Sequence, residues 1–240
     1  MRLHVGTSGY SYAEWKGNFY PEGTPAAKML AFYARQFDTV EINATFYRMP
    51  RTSMFEKWNA QVPETFLFAL KAPQRITHFK KLVDTDGDVT YFCDVAATLG
   101  PRLGPLLFQL PPVFRKDAEK LRAFLATIPG TPRVAMEFRH DSWCDDEVYA
   151  VLRERNVAIC LSDTDEVTDP ASLVVPTANW GYLRLRRTEY TPAMLAEWRE
   201  RIEAQPWDTA FVFFKHEDEG KGPKFAREFL ESRRAVATEI

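Results

Sequence analysis

Charged and polar side chains recur at the carboxyl ends of short apolar runs in this sequence. Glu41 and Asn43 close one run, Lys71 the next and Gln109 a third, followed by Glu137 with Arg139, Asp163, Arg184 with Arg186, and Lys215 with His216. Two carboxylates among cations suit general acid–base chemistry, because a nearby charge holds one carboxyl ionised while another group keeps its proton. Glu41 or Glu137 is expected as base or acid, with Lys71 and Arg184 stabilising developing negative charge and Lys71 or His216 tuned as a proton donor. Ser8, Asn43, Gln109, Arg139, Asp163, Arg186, Lys215 and His216 are the expected polar contacts to a substrate. Tyr10, Trp15, Tyr47 and Trp143 lie in the segments that follow the runs, where they could form a stacking wall for a sugar or base. A structural ring of ion pairs and a packed aromatic lid are the competing explanations.

Other chemistries find less support. The histidines His4, His78, His140 and His216 show neither H-x-H nor H-E-x-x-H spacing, so no metal site is expected. Gly6-Thr7-Ser8-Gly9 lacks the Gly-x-Ser-x-Gly nucleophile elbow, which leaves Ser8 to orient a substrate or cap a turn. Cys144 and Cys160 read as core thiols. Gly220-Lys221-Gly222-Pro223 precedes a last helical stretch, with Pro223 at its first turn; the exposed N–H groups there suit an anion or a plain solvated turn.

Which elements would bring these residues together? Apolar runs at 3–7, 39–43, 66–71, 105–110, 133–138, 158–162, 181–185 and 209–214 read as strands covered on both faces. Amphipathic stretches lie between them, with Leu30, Tyr33, Ala34 and Phe37 on one face and Leu121, Phe124, Leu125 and Ile128 on another. Ser53 with Glu56 reads as a capping box, Asp117 as an N-cap, and Thr191-Pro192 as a cap followed by a first-turn proline. The connection 163–180 shows no full helix. Eight strands with helical crossovers predict an α/β fold, a single parallel (β/α)8 barrel spanning residues 1–240 as one domain. Active sites of such barrels lie at the strand C-termini, where the polar residues recur.

Composition narrows the classes further. The 240 residues are 45% apolar, 27% charged and 14% aromatic with a net charge of −2, which excludes a disordered chain and allows a full core. The three cysteines make no disulfide framework. No apolar run approaches the ~18 residues of a membrane helix, and no secretory leader is read, so a cytoplasmic protein without a membrane partner is expected.

Several stretches together resemble the domain of unknown function 72 family, also called YecE-like. They are Gly6-Thr7-Ser8-Gly9-Tyr10-Ser11-Tyr12, Trp15-Lys16-Gly17-Asn18-Phe19-Tyr20-Pro21, Thr39-Val40-Glu41-Ile42-Asn43, Phe46-Tyr47-Arg48 and Lys71-Ala72 with Ile76-Thr77-His78. Leu103-Gly104-Pro105, Phe108-Gln109-Leu110-Pro111-Pro112 and Glu137-Phe138-Arg139-His140-Asp141-Ser142-Trp143 continue the match over almost the whole chain. The resemblance implies a TIM-type barrel with Glu41, Asn43, Lys71, Gln109, Glu137 and Arg139 as motif positions, and it supplies no activity. Two segments depart from the family pattern. Arg184-Leu185-Arg186-Arg187 stands where many relatives read Arg-Phe-His-Gly, and Phe214-Lys215-His216-Glu217-Asp218 where many read Phe-Asn-Asn-Asp.

The expectation is therefore a small-molecule enzyme or binding protein, its ligand sugar-like or phosphorylated, with the cofactor unknown. The alternative is a nucleic-acid-binding or nucleic-acid-processing barrel of the endonuclease IV type. There Arg184, Arg186, Arg187, Lys215 and Lys221 would hold phosphates. The net charge of −2 and the scarcity of metal-like histidines count against it.

Overall fold

The computed structural model describes residues 1–130, 132–216 and 218–236. The runs read as strands become β1 (Arg2–Thr7), β2 (Thr39–Ile42), β3 (Leu67–Lys71) and β4 (Leu103–Gln109), then β5 (Val134–Glu137), β6 (Ala158–Asp163), β7 (Trp180–Leu185) and β8 (Thr209–Phe214). All pairings are parallel, in the order β1-β8-β7-β6-β5-β4-β3-β2. A bridge between Ser8 and Glu41 joins the two ends, giving one nearly closed α/β barrel. Closure depends on Gly6: a Cβ there would meet the Thr39 carbonyl oxygen at 2.1 Å, so only a glycine lets β1 lie this close to β2.

Helices α1 (Ala26–Tyr33), α2 (Ala44–Tyr47), α3 (Thr52–Asn59), α4 (Asp86–Ala97), α5 (Ala118–Thr127), α6 (Asp146–Glu154), α7 (Pro192–Glu203) and α8 (Lys221–Val236) lie between and after the strands. Between β6 and β7 there is only a 3-10 turn, Pro170–Leu173, as the polar, proline-bearing sequence leads one to expect. Asp117 caps α5 by accepting from the Lys120 N–H at 2.9 Å, and Thr191 caps α7. The capping box expected at Ser53 and Glu56 does not form. Helix α3 begins two residues earlier than a Ser53 cap would place it, at Thr52, with Arg51 at the cap and no side-chain cap bond.

Strand alternation divides the apolar residues into two cores. Outward-facing Val5, Val40, Ile42, Leu161, Leu183 and Val212 pack under the helices in the larger cluster. Inward-facing Ala69, Leu107, Ala135, Cys160, Tyr182, Phe211 and Phe213 fill the barrel. The next inward positions toward the strand C-termini are Ser8, Glu41, Lys71, Gln109, Glu137, Ser162 and Arg184, so the filling turns from apolar to polar at one level. Among the described residues no helix is long and apolar enough to cross a membrane.

Candidate functional site

Arg184 holds that polar layer together. It follows Tyr182 by two residues on β7, so both side chains enter the barrel, and it is only 2% exposed. Its Nη2 donates to Glu41 Oε1 at 2.9 Å and its Nη1 to Glu137 Oε2 at 2.7 Å, bridging carboxylates from β2 and β5, two strands that do not pair with each other. Glu41 also accepts from Ser8 Oγ at 2.6 Å, Tyr182 OH at 2.7 Å and Asn43 Nδ2 at 3.3 Å. Glu137 accepts from Gln109 Nε2 at 2.8 Å and Arg139 Nε at 3.0 Å. Burial alone would raise both carboxyl pKa values. The Arg184 charge and the surrounding donors outweigh it, leaving Glu41 below the usual range and Glu137 at about 2. Both are therefore ionised at neutral pH.

Lys71 is the contrasting group. It ends β3 almost fully buried, with Nζ 4.0 Å from the centroid of the Phe46 ring. Among the described residues no carboxylate comes within ion-pair distance of it. Burial, then the Arg184 charge, lower its pKa from 10.5 to about 8 against the pull of Glu137 and Glu41. The same Phe46 ring meets His78 edge-on at 4.9 Å. His78 lies on a π-helical turn, Arg75–Phe79, directly after β3, and its Nδ1 shares a 2.9 Å hydrogen bond with Thr77 Oγ1. Burial, with Lys71 and Arg139 nearby, lowers the His78 pKa, so the ring is neutral at pH 7. Three non-glycine residues just beyond, Lys81, Leu82 and Asp84, hold left-handed φ of 48°, 67° and 51°. Such strain clusters at functional loops.

A cavity of about 600 Å³ opens between the segments that follow β5, β6 and β7, lined among others by Glu137, Arg139, Ser162 and Arg186. Arg186 continues the inward parity of Arg184 past the end of β7, and burial, followed by the Arg184 charge, lowers its pKa. Arg186 Nε and Ser162 Oγ are buried without a hydrogen-bond partner among the described residues. Two buried polar atoms without partners, on residues that line one cavity, are expensive unless a small shift of the side chains lets a ligand or water complete them. Asp141, Asp165 and Glu166 line the outer, exposed wall, where Asp165 accepts from the Thr188 hydroxyl at 2.6 Å.

The remaining expected contacts lie elsewhere. Asp163 follows Ser162 by one residue and so faces outward under α7. There it is fully buried, accepting from Arg187 Nε at 2.8 Å, Trp198 Nε1 at 2.9 Å and Tyr190 OH at 3.0 Å. Trp15 is buried against Tyr12, Phe19 and Tyr20, and Trp143 stacks on Phe138 while donating to the Phe114 carbonyl at 2.6 Å. Neither indole offers a face to a ligand. Tyr10 packs half-buried beside Tyr33 of α1, whereas Tyr47 is 73% exposed. His216 bonds through Nε2 to the Arg187 carbonyl and packs edge-on to Phe225. Lys215 is half-buried just past β8, and Glu217 lies outside the described residues.

Of the cations proposed for phosphate binding, Arg187 pairs with Asp163 and Lys221 with Glu189. Lys221, Gly222 and Pro223 form the first turn of α8. Cys144, expected in the core, is exposed, whereas Cys160 is buried as expected. Tyr182 and Ser162 were not singled out from sequence; their two-residue offsets from Arg184 and Cys160 are the signal that finds them. Among the described residues no cluster of His, Cys, Asp and Glu is arranged for a metal.

The profile of a family described as "Protein of unknown function DUF72" matches residues 4–239. UPF0759 protein YecE of Escherichia coli (strain K12) is 31% identical over 139 residues, 58% of this chain and 48% of that protein. UPF0759 protein YunF of Bacillus subtilis (strain 168) is 31% identical over 156 residues, 61% of this chain and 54% of the relative. The matched stretch thus spans about half the length of these relatives. A crystal structure of a DUF72 family protein from Thermotoga maritima superposes with a TM-score of 0.82 at 26% identity, covering 99% of this chain and 100% of that one.

Proposed function

The chain belongs to the DUF72 family of proteins of unknown function, and from that premise we propose that the barrel mouth is the active site for a small organic anion. The observation that carries this reading is a charge count. Lys71, Arg139, Arg184 and Arg186 are gathered at the mouth against two inner carboxylates, Glu41 and Glu137, and both carboxylates are already engaged by Arg184. The excess of positive charge is confined to the inner end of the cavity, at Arg139 and Arg186, while Asp141, Asp165 and Glu166 line its outer wall; an anionic group is favoured at that inner end. A carboxylate or phosphate group would complete Arg186 Nε and Ser162 Oγ.

Within the site the two glutamates act as fixed anions that orient Arg184. With a pKa of about 2, Glu137 has no proton to give at neutral pH. Lys71, at about 8, is the group that changes protonation in the working range and is the natural acid or base. Trp15 and Trp143 are buried and only Tyr47 of the expected wall is well exposed, which supports the anion rather than a sugar face as the recognised feature.

Isothermal titration of inorganic phosphate and of short carboxylates at low ionic strength tests the reading. Expected are a saturable site, at least tenfold weaker binding in Arg186→Ala and in Lys71→Met, and affinity that falls as pH rises through about 8. Arg184, Arg139, Glu41, Glu137 and His78 surround Lys71, and of these His78 is the other group near its titration range, already neutral there. An absence of anion binding to the wild type at low salt would remove the proposal.

A further inference from the structure

We propose, resting on the anion-site reading above, that the substrate is an aldehyde or ketone bearing an anionic group, and that Lys71 holds it as an imine. Three features carry this. Lys71 Nζ sits above the Phe46 ring with no carboxylate in ion-pair distance among the described residues, so nothing on the protein pins its proton. The cavity holding Arg186 Nε and Ser162 Oγ opens beside Glu137, within the same group of charges that acts on Lys71. His78, neutral, edge-on to the same Phe46 ring and near enough for the Lys71 charge to act on it, supplies a proton carrier.

The geometry also sizes the ligand. β3 and β5 are separated by β4, and adjacent strands lie ~4.8 Å apart, so Lys71 and the Glu137 wall of the cavity are on the order of 10 Å apart at the backbone. A lysine reaching inward closes much of that distance. Lys71 lies outside the lining of this cavity, so a ligand held at Arg186 must extend inward past Glu137 to meet the amine, which sets a spacing of a few bonds between its anionic group and its carbonyl.

The step balances without an added reagent. The lone pair of neutral Lys71 attacks the carbonyl carbon and forms the C–N bond. The carbonyl π pair moves to oxygen, which takes up the proton released by nitrogen, giving a carbinolamine. A proton taken up from solvent by His78 and passed on to the hydroxyl expels water, returns His78 to its neutral form and leaves a protonated C=N bond on Lys71. A lysine at about 8 is roughly one-tenth neutral at pH 7, on the order of 200-fold more than one at the usual ~10.4.

The test is reductive trapping with cyanoborohydride at pH 7, read by peptide mass spectrometry. The probes are pyruvate and dihydroxyacetone phosphate, with acetone as the uncharged control. Expected is a reduced adduct on Lys71 forming at least tenfold faster than on any other lysine. One charged probe should outpace the other, separating carboxylate from phosphate recognition, and both should outpace acetone. Lys71→Arg should abolish the adduct, and Arg186→Ala should reduce the charged probes to the acetone rate. No adduct on Lys71, or labelling spread evenly over the lysines, overturns the imine. Phosphate titration on the same preparation separates the two readings: anion binding that depends on Arg186 without any adduct sinks the imine alone, and loss of both sinks the anion site with it.

Discussion

Replacing Arg184 by methionine keeps a long side chain in place but strands two carboxylates, Glu41 and Glu137, that are 0% and 1% exposed. Removing one partner of a buried ion pair costs ~3–5 kcal/mol. Glu137 gives a second measure: lowering a carboxyl from 4.5 to about 2 corresponds to about 3 kcal/mol. Ser8, Tyr182, Gln109 and Arg139 still donate to the two carboxylates, so the lower end of the range applies. For a chain of this size each kcal/mol moves Tm by ~2–4 °C, so Arg184→Met should melt about 6–12 °C below the wild type at pH 7.

The pH dependence should reverse as well. In the wild type the folded pKa of Glu137 lies below its unfolded value, so its contribution is complete above about pH 5 and is lost as pH falls toward 2. Without Arg184, burial acts on Glu41 against only the Ser8 and Tyr182 hydrogen bonds and pushes its carboxyl up, while Glu137 keeps Arg139, Arg186 and Lys71; acidification from pH 7 to 5 should therefore raise the Tm of the variant through Glu41. Adding Glu41→Gln and Glu137→Gln removes the stranded charges and should restore much of the loss. Circular-dichroism melts from pH 3 to 8 at constant ionic strength measure all three proteins. An Arg184→Met protein melting within ~2 °C of the wild type, with the same pH slope, refutes the reasoning.

Asp163→Asn should cost ~2–4 kcal/mol of stability by leaving Arg187 without its counter-charge, while phosphate binding at the mouth stays unchanged. Because Trp198 Nε1 donates to Asp163, a shift in the tryptophan emission of the folded variant provides a local readout. A thiol reagent should modify Cys144 rapidly in the native protein, and Cys93 and Cys160 only on unfolding, because burial covers both and raises their thiol pKa values. Loss of the rapid phase in Cys144→Ser checks the assignment; rapid reaction of a second thiol contradicts it.

The barrel was legible because its strands are short continuous apolar runs, a pattern that survives errors of a residue or two at either end. β8 was read at its observed bounds, and β4 was read two residues late at its start and one late at its end. The polar layer was legible for the same reason, since strand ends can be located without knowing which way each side chain points. Orientation was harder, because a shift of one residue turns a side chain from barrel to helix layer. Asp163 and Ser162 are the case in point: the acid drew attention by its charge, yet the serine lies on the inward parity. Trp15 and Trp143 failed for a different reason. Aromatic residues in loops cover whatever apolar surface is nearest, and here that surface belongs to Phe19, Tyr20, Phe114 and Phe138.

Those orientations also decide which residues are free to react. A carboxylate that accepts three or four hydrogen bonds in a buried layer is held by the field it helps to make, and moving a proton onto it would cost the whole network. Glu41 and Glu137 are in that position, with Arg184 between them. The same arrangement acts in the opposite direction on Lys71. Burial already weighs against the Lys71 charge, and the Arg184 charge that keeps the glutamates ionised adds to that cost, so the amine is the group that gives way. One buried arginine thus divides the mouth into anions that cannot be protonated and an amine that deprotonates readily, which is why Lys71 rather than either glutamate is expected to touch the reacting atoms.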